Sequence, residues 1–178
     1  MFEQLFQIPG LNIYMQIVVT LAVIGLELLR TRGKPEGGRL TLVVTLTIGM
    51  AGWFTITNAL LGHIFFADTV AESIGWATGS GFQTELALAL IGIGLVGALG
   101  FWRRDFWLPF IIAKSTMSIG AGFTHIADIL QHANFAPGNA GPILYWDFIQ
   151  PLILIGLYVL YIRSQKDSST RSQAAALS

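Results

Sequence analysis

The sequence predicts an all-α membrane protein, a single domain built as a polytopic bundle of five transmembrane helices. Only 11% of the 178 residues are charged and 53% are hydrophobic, whereas about a quarter of a soluble domain is charged. Five stretches are mostly apolar over about 20 residues, which is the length that crosses a bilayer. The predicted spans are residues 11–29, 40–66, 85–101, 106–131 and 143–162.

The domain organisation follows from these spans. Residues 1–163 form the transmembrane domain, and residues 164–178 follow it as a polar segment rich in small residues. A segment of that composition buries too little apolar surface to offset the entropy of ordering. We therefore expect residues 164–178 to be a disordered cytoplasmic tail.

The basic residues predict the orientation of the bundle. Nine of the ten fall between spans 1 and 2, between spans 3 and 4, or after span 5, and none falls in the connections at residues 67–84 and 132–142. Because positive charge is retained on the cytoplasmic side, we expect the N-terminus outside and the C-terminus inside. The nine residues are Arg30, Arg32, Lys34, Arg39, Arg103, Arg104, Arg163, Lys166 and Arg171.

Composition also excludes several classes of function and partner. The chain has no cysteine, which excludes disulfides, cysteine-ligated cofactors and cysteine nucleophiles. Ten basic and ten acidic residues cancel, which argues against nucleic acid as a partner. The expected partner is the lipid bilayer, and the small interior of a five-helix bundle makes a homo-oligomer a further expectation.

Polar residues collect at the predicted outer ends of the spans. Ionisable side chains within a bilayer are costly and usually functional. At about 1.5 Å of rise per residue, four different spans carry such side chains to one level, which we call the outer polar layer. Its members are His63, Glu85, His125, Asp128, His132 and Asp147.

A metal site is the first interpretation of this layer. Histidine and carboxylate ligands without sulfur suit a divalent zinc, iron or manganese ion. The candidate ligands are His63, Glu85, His125, Asp128 and Asp147, and the supporting or alternate ligands are Glu72, His132, Asn58 and Gln83. If the site is catalytic, the metal activates water or dioxygen; whether the protein is an enzyme stays open.

Two other interpretations stay open as well. Membrane proteins that move protons or ions use chains of Asp, Glu and His, so the same layer suits a proton- or ion-coupled transporter, with Glu27 and Lys114 as an inner polar pair. Glu27 also lies three residues before Arg30 and is placed to pair with it instead. The third interpretation is a structural or assembly protein, whose polar residues only hydrogen-bond at the headgroup boundary.

Ser80 has two interpretations. Its flanking glycines, Gly79 and Gly81, are similar to the surroundings of the serine in intramembrane proteases, with His125 as the base. Ser80 also lies three residues before Gln83 at the start of a helix, which is the spacing of a capping box. We favour the cap because it needs only this local spacing.

Small residues are frequent in spans 3 and 4. Glycines allow helices to approach each other closely in lipid, so we expect them to pack one helix against another. These glycines are Gly92, Gly94, Gly97, Gly100, Gly120 and Gly122.

The stretch NFAPGNAGP, residues 134–142, joins spans 4 and 5. It is a string of turn-forming residues, so it predicts a tight outer loop. That loop turns the chain, and it is also placed to hold His132 and Asp147 in a fixed geometry.

A signature motif adds a resemblance to these inferences. The motif reads IGW-x-x-GS-x-FQ-x-E over residues 74–85, and the pair His125-Ile126 and the NFAPGNAGP loop follow it. With these features, about half of the chain, residues 62–151, resembles a family of small uncharacterised integral membrane proteins of bacteria and archaea. The family has proline where this chain has Gly81, a change that should loosen the turn before span 3. The resemblance implies a shared fold, a prokaryotic plasma (inner) membrane location and an outer polar site with Glu72, Glu85 and His125.

Overall fold

A computed structural model describes residues 8, 10–33 and 36–176, and this part of the chain is helical. Five of its helical segments are long and apolar enough to cross a membrane, which confirms the all-α, multi-pass class. The helices are α1 (Leu11–Arg30), α2 (Glu36–Asn58), α3 (Ala67–Ile74), α4 (Phe82–Leu99), α5 (Trp107–His132), α6 (Pro137–Ala140) and α7 (Pro142–Ala176). A π-helical stretch, Ala59–Phe65, extends α2, and a 3₁₀ turn, Arg104–Phe106, precedes α5.

Helix α2 lies at the centre of the bundle. It packs against α1, α4, α5 and α7, and the α2–α4 and α5–α7 interfaces are the most extensive. An apolar cluster fills the half of the bundle near residues 31–33 and 100–106, which we call the basic end. The buried members of this basic-end cluster are Val44, Ile48, Ala51, Trp107, Phe110, Ile111 and Leu154. Lys34, one of the nine basic residues, lies outside the described residues.

Glycines bring α2, α4 and α5 into close contact. A Cβ atom added to Gly97 would lie 2.6 Å from the Phe110 ring and 2.7 Å from the Cα atom of Gly52. Among the predicted packing glycines, Gly94, Gly97, Gly100 and Gly122 face neighbouring atoms in this way, whereas Gly92 and Gly120 border open space. Four of the six therefore have the expected packing role.

The last helix differs from the expectation for the tail. Helix α7 continues to Ala176, where the sequence predicts disorder from residue 164 onward. Hydroxyl groups along this stretch donate to backbone carbonyls three or four residues earlier, as Ser164 does to Tyr161 and Ser168 does to Ser164. The serines are therefore accommodated within the helix, and Gln165 and Lys166 are good helix formers. Residues 177–178 lie outside the described residues.

Candidate functional site

The end of the bundle opposite the basic end, which we call the polar end, is covered by α3, α6 and their flanking segments. Gly75 ends α3 at a φ of 82° and Ala133 ends α5 at a φ of 53°, so both helices stop in left-handed turns. Asn134 joins the two turns, since its Nδ2 donates to the Ile74 carbonyl at 2.8 Å and to Asp128 Oδ2 at 2.6 Å. Gly75 is required beside it, because a Cβ there would lie 2.8 Å from Asn134 Oδ1.

His125 is held from one side by Asn139. The Asn139 Nδ2 donates to the Asn134 carbonyl at 2.8 Å, which orients the amide so that its Oδ1 lies 2.6 Å from His125 Nδ1. An amide oxygen only accepts, so Nδ1 carries the imidazole proton. In its neutral form, His125 therefore presents the lone pair of Nε2 on the opposite side of the ring.

That lone pair faces a buried carboxyl group. His125 Nε2 lies 3.9 Å from Oδ2 of Asp147 on α7, and each residue is only 6% exposed. No group among the described residues hydrogen-bonds to this Oδ2. The backbone carbonyl of Asp147 is a further acceptor. In a regular helix the N–H of residue 151 would bond to it, but Pro151 has no N–H. The interface between α5 and α7 thus places several acceptors together.

Trp76 covers the other face of His125. The two rings are stacked with their centroids 5.8 Å apart, and the Trp76 Nε1 donates to Asp128 Oδ2 at 2.9 Å. Asp128 also bonds to Asn134 and, through Oδ1 at 2.8 Å, to Nδ1 of His132. Because its oxygens are engaged in these bonds, Asp128 serves here as an anchor for the cover over His125.

Replacing Asp128 by asparagine should loosen this cover. The amide is uncharged, so the bonds from Trp76 and Asn134 lose the charge assistance of the carboxylate, and its nitrogen can bond to His132 only if the His132 proton moves from Nδ1 to Nε2. We expect several-fold faster proteolysis within residues 75–81 and 133–141, because local opening controls cleavage. Glu72→Gln is the matched control, since Glu72 is an exposed carboxylate at the same end. Equal cleavage rates in the two variants would contradict the anchoring role.

The remaining candidates lie in separate places. His63, in the π-helical stretch, has its Nδ1 2.6 Å from Oε1 of Gln83. Asn58 accepts a hydrogen bond at 2.8 Å from Asn12 of α1. Glu72 and Glu85 are exposed, and Glu85 lies in the first turn of α4, where a negative charge is favourable.

Glu72, Glu85 and Asn58 therefore stand apart, and the other six predicted ligands form three groups instead of one. These are His125 with Asp147 and Asn139, Asp128 with His132, and His63 with Gln83. Within residues 8, 10–33 and 36–176, no three His, Asp or Glu side chains lie close enough together to hold a metal ion. The nearest neighbours of the histidines are mostly amide and single carboxyl groups, so the metal site stays a prediction.

Of the two pairings considered for Glu27, the one with Arg30 forms. Glu27 binds Arg30 at 2.8 Å and Lys114 Nζ donates to Ser118 Oγ at 2.6 Å, in place of a Glu27–Lys114 pair. The reason is that α1 packs mainly on α2, away from α5. Ser80 Oγ accepts from the Phe82 N–H at 3.3 Å, while the Gln83 side chain turns to His63, so the reciprocal capping box does not form.

Several residues of this site were not among the sequence candidates. They are Asn139, Asn134 and Trp76, and all three lie in the signature motif or the NFAPGNAGP loop. The two loop asparagines follow His125 by 9 and 14 residues. Two amides in a loop that covers the end of a polar helix are the signal that could have indicated partners for the buried histidine.

Comparison with known proteins gives a family. The model of a family of unknown function, DUF6790, matches residues 11–167. No curated protein and no solved structure matches the chain. The match agrees with the resemblance to an uncharacterised family and extends it over all five membrane-spanning helices, and the chain therefore belongs to the DUF6790 family.

Proposed function

We propose that the protein passes protons across its membrane and that His125 and Asp147 together bind the proton in transit. The observation that carries this proposal is the pair of acceptors described above, the Nε2 lone pair and Oδ2, 3.9 Å apart in the bundle interior. Two acceptors cannot hydrogen-bond to each other. A single added proton converts them into a donor and an acceptor, whichever of the two atoms carries it.

The burial of the His125–Asp147 pair also favours the binding of a proton. An unpaired buried charge is costly, so an ionised Asp147 favours a proton on His125. Lys114 lies further towards the basic end, where its Nζ donates to Ser118 Oγ at 2.6 Å.

In a prokaryotic plasma membrane with the predicted N-out orientation, the polar end faces outward. A proton would then enter near Trp76 and leave towards the cytoplasm past Lys114. This assigns the layer of histidines and acids to the entrance and the basic end to the exit.

Proton flux into liposomes tests the proposal. The purified protein is reconstituted with an internal pH dye, and a pH gradient is imposed in the presence of a potassium ionophore. The wild type should acidify the interior faster than empty liposomes do. Asp147→Asn and His125→Gln should both reduce the flux to the empty-liposome level, since neither an asparagine nor a glutamine side chain binds a proton in this range.

Asp105→Asn is the matched control, because Asp105 is an exposed carboxylate paired with Arg103 at the basic end. Its flux should equal that of the wild type. Wild-type flux at the level of empty liposomes would contradict the proposal. So would a stoichiometric zinc, iron or manganese content in the wild type that His125→Gln removes, which would instead support the predicted metal site.

A further inference from the structure

The interface between α5 and α7 contains an unusual set of buried polar atoms. Ser115 Oγ, Asp147 Oδ2 and Gln150 Oε1 are buried, and among the described residues none of them has a hydrogen-bond partner. Buried polar groups in folded proteins are nearly always hydrogen-bonded, to protein or to ordered water. Three such atoms in one interface therefore indicate a bound polar ligand.

The positions of these atoms follow one line through the bundle. On α5, Ser115, Ser118, Gly122 and His125 recur at intervals of three or four residues and so share one face. A Cβ added to Gly122 would lie 3.3 Å from the Asp147 Cβ, which places Asp147 opposite this face. The two helices run in opposite directions, so Gln150 on α7 lies one turn further from the polar end, as Ser118 does on α5.

The distance between successive polar groups on this line matches the span of one bridging water molecule. Successive polar groups are one helical turn apart, about 5.4 Å, and a water that bonds to both neighbours spans about twice a 2.8 Å hydrogen bond. A buried water needs two to four polar partners. The Asp147 backbone carbonyl, which Pro151 leaves without a helical N–H, adds one acceptor to the side-chain atoms.

We propose that the α5–α7 interface holds a file of water molecules that connects the His125–Asp147 pair to Lys114. The role of this file in proton transfer rests on the proposed function. The presence of water in the interface is a separate claim. The file begins at Asp147 Oδ2, passes Gln150 and Ser118, where Lys114 donates to Ser118 Oγ, and ends at the unpartnered Ser115 Oγ about one turn nearer the basic end. Beyond Lys114, the basic-end cluster closes the interior.

Accessibility to silver ions tests for the water directly. The natural chain has no cysteine, so Ser115→Cys and Ser118→Cys each introduce the only thiol at a nearly isosteric position. Thiols react as thiolates, which need water, and Ag⁺ is small enough to enter a water file. After the reconstituted protein has been exposed to Ag⁺, it is unfolded in detergent and labelled with a fluorescent maleimide. The amount of label measures the thiols that remain free.

Both serine positions should lose most of their free thiol. Leu88→Cys and Leu152→Cys are the controls, since these residues are 61% and 70% exposed on the outside of the bundle and their thiols should stay unmodified in lipid. If the thiols at positions 115 and 118 react no faster than these controls, the interface is dry and the inference is wrong.

Proton flux through Gln150→Leu tests the role of the file. The substitution changes no titratable group, and Gln165→Leu on the exposed part of α7 is its control. Flux lost in both Asp147→Asn and Gln150→Leu supports the file as the route. Flux lost in Asp147→Asn but kept in Gln150→Leu overturns the route and leaves the proposed function standing, whereas flux kept in Asp147→Asn overturns the proposed function itself.

Discussion

Replacing Asn139 by leucine is expected to destabilise the folded protein by about 2–6 kcal/mol, because two hydrogen-bonding groups lose their partners at about 1–3 kcal/mol each. Asn139 is fully buried. Its side chain accepts from His125 Nδ1 and donates to the carbonyl of Asn134. Leucine has a similar volume, so the cost comes from the lost hydrogen bonds and not from a cavity. Chemical unfolding in detergent, followed by circular dichroism, measures this loss.

The same substitution should also reduce proton flux. Without Asn139, the imidazole proton is free to move from Nδ1 to Nε2, where it donates to Asp147 and occupies the position of the transported proton. Asn12→Leu is the control, because the Asn12–Asn58 bond is exposed and its loss should cost well under about 1 kcal/mol. Equal destabilisation by the two variants, or full flux in Asn139→Leu, would contradict the role given to Asn139.

Gly97→Val is the second substitution with a large expected effect. The first added carbon would already meet Phe110 and the backbone of Gly52 at 2.6 and 2.7 Å, so α4 has to move away from α2 and α5. Overpacking of this kind costs about 1–3 kcal/mol, and sometimes more. Thermal unfolding in detergent should show a clearly lowered midpoint, together with poor recovery of folded protein.

Gly92→Val provides a matched comparison on the same helix. Its side chain would enter open space outside the bundle, and replacing a glycine lowers the conformational entropy of the unfolded chain, which favours the folded state. The midpoint of this variant should equal or exceed that of the wild type. If Gly92→Val were as destabilised as Gly97→Val, helix propensity and not packing would explain both effects.

Much of the fold could be predicted from the sequence, because the bilayer requires a fixed length of apolar chain. The predicted span 143–162 begins within one residue of α7, and the span 106–131 begins and ends within one residue of α5. Helix α3 was missed because its eight residues are too short and too polar to register as a span. The start of α4 at Phe82, before residue 85, depends on where the turn at Gly81 ends.

The site was only partly predictable. The depth of a residue along its helix can be counted from the sequence, whereas the rotation of the helix and the contacts of the loops cannot. His125 and Asp147 were candidates, and the structure brings them together. Asp128 was expected as a ligand of the same centre, but its bonds turn it towards Trp76 and Asn134. Those partners come from loops whose course is fixed by left-handed turns at Gly75 and Ala133, a detail that residue depth cannot supply.

The basic-end cluster has an electrical consequence. Aqueous and polar regions conduct and carry little of the transmembrane voltage, so most of the potential falls across the apolar layer that contains Phe110 and Leu154. Moving one charge through the full potential is worth about 2.3 kcal/mol per 100 mV. On the proposed proton route, a proton that reaches Asp147 from the polar end has crossed little of this field. We therefore expect the occupancy of the His125–Asp147 pair to be nearly independent of voltage, and the step past the cluster to be the one that the membrane potential drives.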